Sequence, residues 1–147
     1  FTQKVLWKDL DFLIVDMPPG TGDTQLTFAQ EIKVDGAVII STPQKIALSD
    51  VKRGIKMFDK LDVPIIGLVD NMSFFETDDG KKYNIFGEGG VEKLSNDYKK
   101  NFLGKIPIDI DLRISADEGT PLVEKNPDHK ISKKFLEIAK KIKGFFH

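Results

Sequence analysis

Residues 11–23 read Asp11-Phe12-Leu13-Ile14-Val15-Asp16-Met17-Pro18-Pro19-Gly20-Thr21-Gly22-Asp23. The continuous apolar run Phe12-Leu13-Ile14-Val15 fits a strand buried on both faces, as strands of parallel sheets are. Pro18-Pro19-Gly20 ends that run, and residues 24–33 follow with helical character and Asp23 as a candidate N-cap. The same alternation continues outward. Ala37-Val38-Ile39-Ile40 predicts a second buried strand. Residues 47–61 place Ala47, Leu48, Val51, Ile55 and Phe58 on one helical face. Residues 63–69 predict a third strand, with Pro64 near its start, where a missing N–H matters least. Residues 88–98 predict a helix and residues 102–106 a short fourth strand. Residues 131–146 predict a last helix, with Ile131, Phe135, Ile138 and Ile142 on one face and lysines on the other. Strands alternating with helices specify an α/β fold with a parallel sheet covered on both sides.

Composition narrows the function classes. The chain has 147 residues, 40% apolar and 31% charged, a globular composition of single-domain size. Its formal charge of −1 argues against a general nucleic-acid binder. No apolar run reaches the roughly 20 residues that span a bilayer, so no membrane role is expected. Nothing ahead of Asp9 resembles a signal peptide, and the start at Phe1 reads as processed, engineered or truncated; the location expected is cytoplasmic. There is no cysteine, so these residues supply no disulfide, no thiol nucleophile and no thiolate for zinc or iron–sulfur clusters.

In parallel sheets ligands bind beyond the carboxyl ends of the strands. The segments that follow the predicted strands are therefore the candidate site: residues 16–23, Ser41-Thr42-Pro43-Gln44, Asp70-Asn71-Met72 and Pro107-Ile108-Asp109. Two readings of Asp16 stay open on the residues alone. A carboxylate at a strand end suits Mg²⁺, which takes one or two carboxylates and keeps several waters. Gly20 and Gly22 would let backbone N–H groups approach an anion ahead of a helix N-terminus. The other reading is an ordinary strand–turn–helix junction capped by Asp16. An Asp-Pro-Pro-aromatic loop of the amino-methyltransferase type does not fit, because Met17 intervenes and Gly20 stands where the aromatic belongs. Asn71, on the residues alone, reads as a turn residue after a strand.

Residues 11–30, DFLIVDMPPGTGDTQLTFAQ, closely resemble the switch II segment of the Mrp/ApbC-type P-loop ATPases, MinD-like proteins of the deviant Walker A group that act as iron–sulfur cluster carriers. The resemblance continues through Ser41-Thr42-Pro43-Gln44, Asn71-Met72-Ser73, Ile85-Phe86-Gly87-Glu88-Gly89-Gly90, Gly104-Lys105-Ile106-Pro107 and Asp117-Glu118-Gly119. It implies a three-layer P-loop NTPase fold and the cofactors ATP and Mg²⁺. It implies that Asp16 holds Mg²⁺ through a water and that the N–H of Gly20 senses the γ-phosphate. Asn71 resembles the asparagine that reads adenine, and Pro107, Ile108 and Asp109 resemble the loop that closes over base and ribose. The partners implied are a second copy, forming a homodimer, and iron–sulfur client proteins.

Two departures shape the expectation. No Gly-Lys-Ser/Thr phosphate loop occurs, and Gly87-Glu88-Gly89-Gly90 lacks the lysine and hydroxyl pair to replace it. Residues 1–147 are thus expected to be the C-terminal part of a single P-loop ATPase domain, without the N-terminal strand, phosphate loop and first helix. The chain alone is then expected to be inactive and to bind Mg-ATP weakly or not at all. The family's Cys-x-x-Cys pair is also absent. Its interval here, residues 76–84, carries the carboxylates Glu76, Asp78 and Asp79, hard ligands that do not replace thiolates. The alternative is a MinD-like regulatory ATPase that binds no cluster. The resemblance further predicts that residues 12–15 and 37–40 are not paired neighbours, their axes lying roughly twice the usual ~4.8 Å apart.

Overall fold

The computed structural model describes residues 5–18 and 22–147. Helix α1, Asp23–Glu31, opens the regular structure, with Gly22 rather than Asp23 at the N-cap position. Strand β1, Ala37–Ser41, is followed by helix α2, Lys45–Lys60. Strand β2, Ile65–Glu76, turns into the short strand β3, Lys82–Tyr83. Helix α3, Gly90–Asp97, leads to strand β4, Phe102–Ile108. Helices α4, Ile110–Asp117, α5, Leu122–Lys125, and α6, Lys130–Gly144, complete the chain.

Strand β2 is the centre of the sheet. It pairs in parallel with β1 on one side and β4 on the other, and its far end pairs antiparallel with β3. The β2–β4 ladder slips between Asn71 and Phe75, where Met72 adopts a left-handed φ of 53°. Two packed layers cover the sheet. On one face Val51 and Ile55 of α2 meet Leu68 of β2 and Val91 and Leu94 of α3. On the other, Val69, Leu103 and Ile106 pack under Leu122 of α5 and Ile131 and Ile138 of α6. Ile55, Leu68 and Ile131 are completely buried, each contributing roughly 1.5–3 kcal/mol of apolar burial. At Gly67 of β2 an added Cβ would lie 2.7 Å from the Asn101 carbonyl oxygen and from Leu103 Cγ. The glycine is what lets the β2–β4 seam close.

The strand expected over residues 12–15 is not formed. This segment carries no regular structure, and Ile14 is 90% exposed. A buried strand needs a hydrogen-bonded neighbour and two covering faces; this segment has no ladder, and Phe12 instead meets the ring of Phe146 edge-on at 5.8 Å. No ladder joins residues 12–15 to 37–40, because the first of them lies outside the sheet; β1 pairs with β2. The turn-rich residues 76–82 form an ordered hairpin turn. Thr77 N donates to Lys81 O, Gly80 N donates to Thr77 O, and Gly80 takes the positive φ of 80° the turn requires. Among the described residues no helix is long and apolar enough to cross a membrane.

Candidate functional site

The carboxyl ends of the three parallel strands lie side by side. Ser41 of β1 stands opposite Asp70 of β2, and Asp70 opposite Lys105 of β4. In the next row Asn71 stands opposite Ile106. Asn71 is half-buried and lies within β2, which runs on to Glu76, rather than in a turn after the strand. Pro107 and Ile108 likewise belong to β4, which continues two residues past the expected end; Pro107 is buried and Ile108 half-buried. Asp109 ends the strand and caps α4, its Oδ1 accepting from Leu112 N at 3.0 Å. The β2–β4 seam therefore brings Asn71, Pro107, Ile108 and Asp109 to one rim of the sheet. An asparagine amide donates and accepts at once, the pattern that reads a heterocyclic base edge.

Asp16 lies apart from this rim. It is exposed, on the irregular segment before α1, because the expected strand that would have presented it is absent. Gly20 lies outside the described residues. The exit from this segment is tied to α1: Nε2 of the buried Gln25 donates to the Pro18 carbonyl at 2.6 Å.

The sequence reading placed Asp70 in a candidate segment but gave it no role of its own. Asp70 is 1% exposed, and its Oδ1 has no hydrogen-bond partner among the described residues. Burial pushes its carboxyl up from 3.8 to about 6; the Lys105 ammonium pulls it down and Glu92 pushes it further up. Lys105 does not neutralise Asp70 by direct contact, because its Nζ sits 2.9 Å from Glu92 Oε2 of α3. That hydrogen bond is also the main cause that holds the Lys105 ammonium above its usual range. A carboxylate that continues the run Ile65-Ile66-Gly67-Leu68-Val69 was the available signal, once the strand is known to extend past Val69.

Two clusters of potential metal ligands read as structural. Ligand atoms of Asp109, Asp111 and His129 lie within 4.8 Å of one another. Yet His129 Nδ1 accepts from Ile131 N at 3.3 Å, which puts the imidazole proton on Nε2, facing Asp111 Oδ2 at 3.5 Å. A metal-bound imidazole needs one bare nitrogen for the metal and a donating N–H on the other. In the hairpin, Glu76 lies 3.7 Å from Lys82 Nζ and 3.8 Å from Lys130 Nζ, while Asp78 and Asp79 are exposed. Hydrogen bonds from Thr77 and the Lys81 backbone hold the Asp79 carboxyl below its ordinary value.

As to ATP and Mg²⁺, Asn71 and Asp109 offer the donors and acceptors a nucleoside needs, and Asp16 is a hard oxygen ligand of the kind Mg²⁺ takes. The glycine-rich lysine loop that cradles phosphates has no counterpart in the 147 residues.

Residues 1–143 match the family model described as ParA, NUBPL iron-transfer P-loop NTPase. The iron-sulfur cluster carrier protein of Aquifex aeolicus is 46% identical over 141 residues, 95% of this chain and 39% of that protein. The iron-sulfur cluster carrier protein of Escherichia coli is 48% identical over 141 residues, 95% of this chain and 38% of that protein. The chain thus spans less than half the length of these relatives. Among solved structures, a nucleotide-binding protein from Archaeoglobus fulgidus in complex with ADP superposes with a TM-score of 0.67 at 43% identity, covering 75% of this chain and 46% of that one. The cell division ATPase MinD of Pyrococcus furiosus superposes with a TM-score of 0.60 at 23% identity, covering 76% of this chain and 43% of that one, a likeness of fold.

Proposed function

The chain belongs to the NUBPL iron-transfer P-loop NTPase family, and from this premise we propose that it is part of a Mg-ATP-using iron–sulfur cluster carrier. Its own contribution is the base side of the nucleotide site. Asn71 reads the adenine edge, and Pro107, Ile108 and Asp109 close over base and ribose. The observation that supports this reading is the register that sets Asn71 against Ile106, one residue before Pro107, so that both recognition segments meet on one rim. The ADP complex of the Archaeoglobus fulgidus relative agrees with it.

Asp16 would hold Mg²⁺ through a water, and Gly20 would offer its N–H to the γ-phosphate. Bound Mg²⁺ neutralises phosphate charge and orients the transferring group. The phosphate cradle is assigned to chain outside these 147 residues, so that residues 1–147 form one part of a single nucleotide-binding domain. The cluster is cargo, and with no cysteine here its thiolate ligands also come from elsewhere. Homodimerisation and hand-over to iron–sulfur client proteins belong to the same proposal. A MinD-like regulatory role without a cluster is not favoured, since the curated relatives described above are named for cluster carriage.

The test is an assay of the complete protein for ATP hydrolysis, bound iron and acid-labile sulfide after anaerobic reconstitution. Hydrolysis together with iron and sulfide is the expected result. Hydrolysis with neither iron nor sulfide would overturn the carrier reading and leave the nucleotide reading standing.

A further inference from the structure

We propose that the groove between α2 and α3 is a docking site for an acidic segment of a partner protein, one that carries a single apolar side chain between carboxylates. The groove encloses about 310 Å³ and is separate from the strand-end rim. Leu48 and Leu94 form its apolar floor, and Lys45, Lys52 and Lys93 stand around it.

Helical spacing puts these groups together. Lys45, Leu48 and Lys52 lie three and then four residues apart on α2, and Gly90, Lys93 and Leu94 fall on one face of α3. Gly90 fixes how closely the helices approach. A Cβ there would lie 2.5 Å from Leu48 Cδ1 and 3.2 Å from the Pro43 carbonyl oxygen. The spacing of the two helices is therefore set by backbone against side chain, and the groove is held at its present width.

The charge balance indicates the occupant. Lysines 100, 105 and 125 each lie within 3 Å of a carboxylate, on Asp59, Glu92 and Glu118. Lys45, Lys52 and Lys93 have no such partner among the described residues. Asp97 also lines the groove, which leaves two positive charges in excess. The first turn of α2 holds no acidic residue to offset them, and its N-terminus adds partial positive charge. Three ammonium groups lining one concavity repel one another, while Leu48 on its floor is only half-buried beside the buried Leu94. Carboxylates on either side of one aliphatic or aromatic side chain satisfy both conditions together.

The test is selection of phage-displayed random short peptides on the immobilised chain. Expected are winners with acidic residues flanking one apolar residue, whose synthetic forms bind more weakly as salt rises. The double variant Lys52→Glu/Lys93→Glu should lose about tenfold or more in affinity, while Lys56→Glu/Lys60→Glu on the same helix should bind as the parent does. Circular dichroism verifies that all variants keep the parent's helix content. No enrichment, basic or purely apolar winners, or equal binding by Lys52→Glu/Lys93→Glu would overturn the proposal. So would binding to phosphatidylserine vesicles that Lys52→Glu/Lys93→Glu abolishes in the absence of peptide binding, which reassigns the groove to a lipid surface.

Discussion

Replacing Asp70 by asparagine should make the protein more stable at neutral pH and remove much of the pH dependence of its stability. The wild-type carboxyl titrates at about 6 when folded, against 3.8 in the unfolded chain. The folded state therefore keeps a proton that the unfolded state releases between those values, and stability falls as pH rises through the window from about 4 to about 6. A displacement of about two pKa units corresponds to about 3 kcal/mol, fully lost above the folded value. The cause is structural: Asp70 is buried in the middle strand, its Oδ1 has no donor among the described residues, and Lys105 is committed to Glu92. Asparagine keeps the shape and carries no charge, but its amide must find partners, at a cost of about 1–3 kcal/mol. The expected outcome at pH 7.5 is a gain of about 1 kcal/mol, and the robust quantity is the change of the difference with pH. Urea denaturation midpoints at constant m, measured from pH 4.5 to 7.5, should show Asp70→Asn gaining on the parent by about 2 kcal/mol across the range. Parallel stability curves for the two proteins would show that the carboxylate is not desolvated and refute the reasoning.

In the complete protein Asp16→Asn should abolish ATP hydrolysis while leaving the far-ultraviolet spectrum unchanged, and near-normal turnover would remove Asp16 from the metal site. The 147-residue chain alone should give no saturable heat with Mg-ATP by calorimetry; a micromolar constant would show that the phosphate cradle is dispensable. Asp109→Ala deletes the cap bond to Leu112 N and should cost about 1 kcal/mol in thermal or urea unfolding, with Asp109→Asn retaining most of it. Gly67→Ala should destabilise the chain by about 1–3 kcal/mol, because its methyl meets the fixed Asn101 carbonyl; an unchanged midpoint would mean the β2–β4 seam yields freely.

Periodicity made α2 and α6 legible over their length, although Phe135 of the expected α6 face is exposed. Strand β1 was legible only as an apolar run, and it is half-buried rather than buried, with Ile40 63% exposed, because β2 pairs with it on one side only. The same kind of reading failed at residues 12–15. An apolar run states that a segment is able to be buried, whereas a strand also requires a neighbour to bond with, and Ile14 shows the difference. The short elements had no pattern to read. Helix α4 buries Ser115 in its middle while Ile110 stands largely exposed, and β3 is two residues long. At the rim, Asn71, Pro107, Ile108 and Asp109 were proposed through the family resemblance, since an asparagine after an apolar run looks like any turn. The burial of Asp70 was invisible for a different reason: it comes from its place in the middle strand, between Ser41 of β1 and Lys105 of β4, and nothing local to residues 65–73 encodes that cover.

The β2–β4 ladder changes register twice, between Leu68 and Val69 and again between Asn71 and Phe75, where Met72 turns left-handed. Between the two shifts Val69, Asp70 and Asn71 keep one register with Gly104, Lys105 and Ile106; beyond the second, Phe75 pairs with Ile108 on one side and with Tyr83 of the hairpin on the other. The tip, residues 77–81, lies beyond the last β2–β4 pair, Phe75 with Ile108. A change in its length or chemistry should therefore leave the row that sets Asn71 against Ile106 in place. Under the function proposed above, base recognition and whatever the hairpin handles would thus be separable parts of one strand.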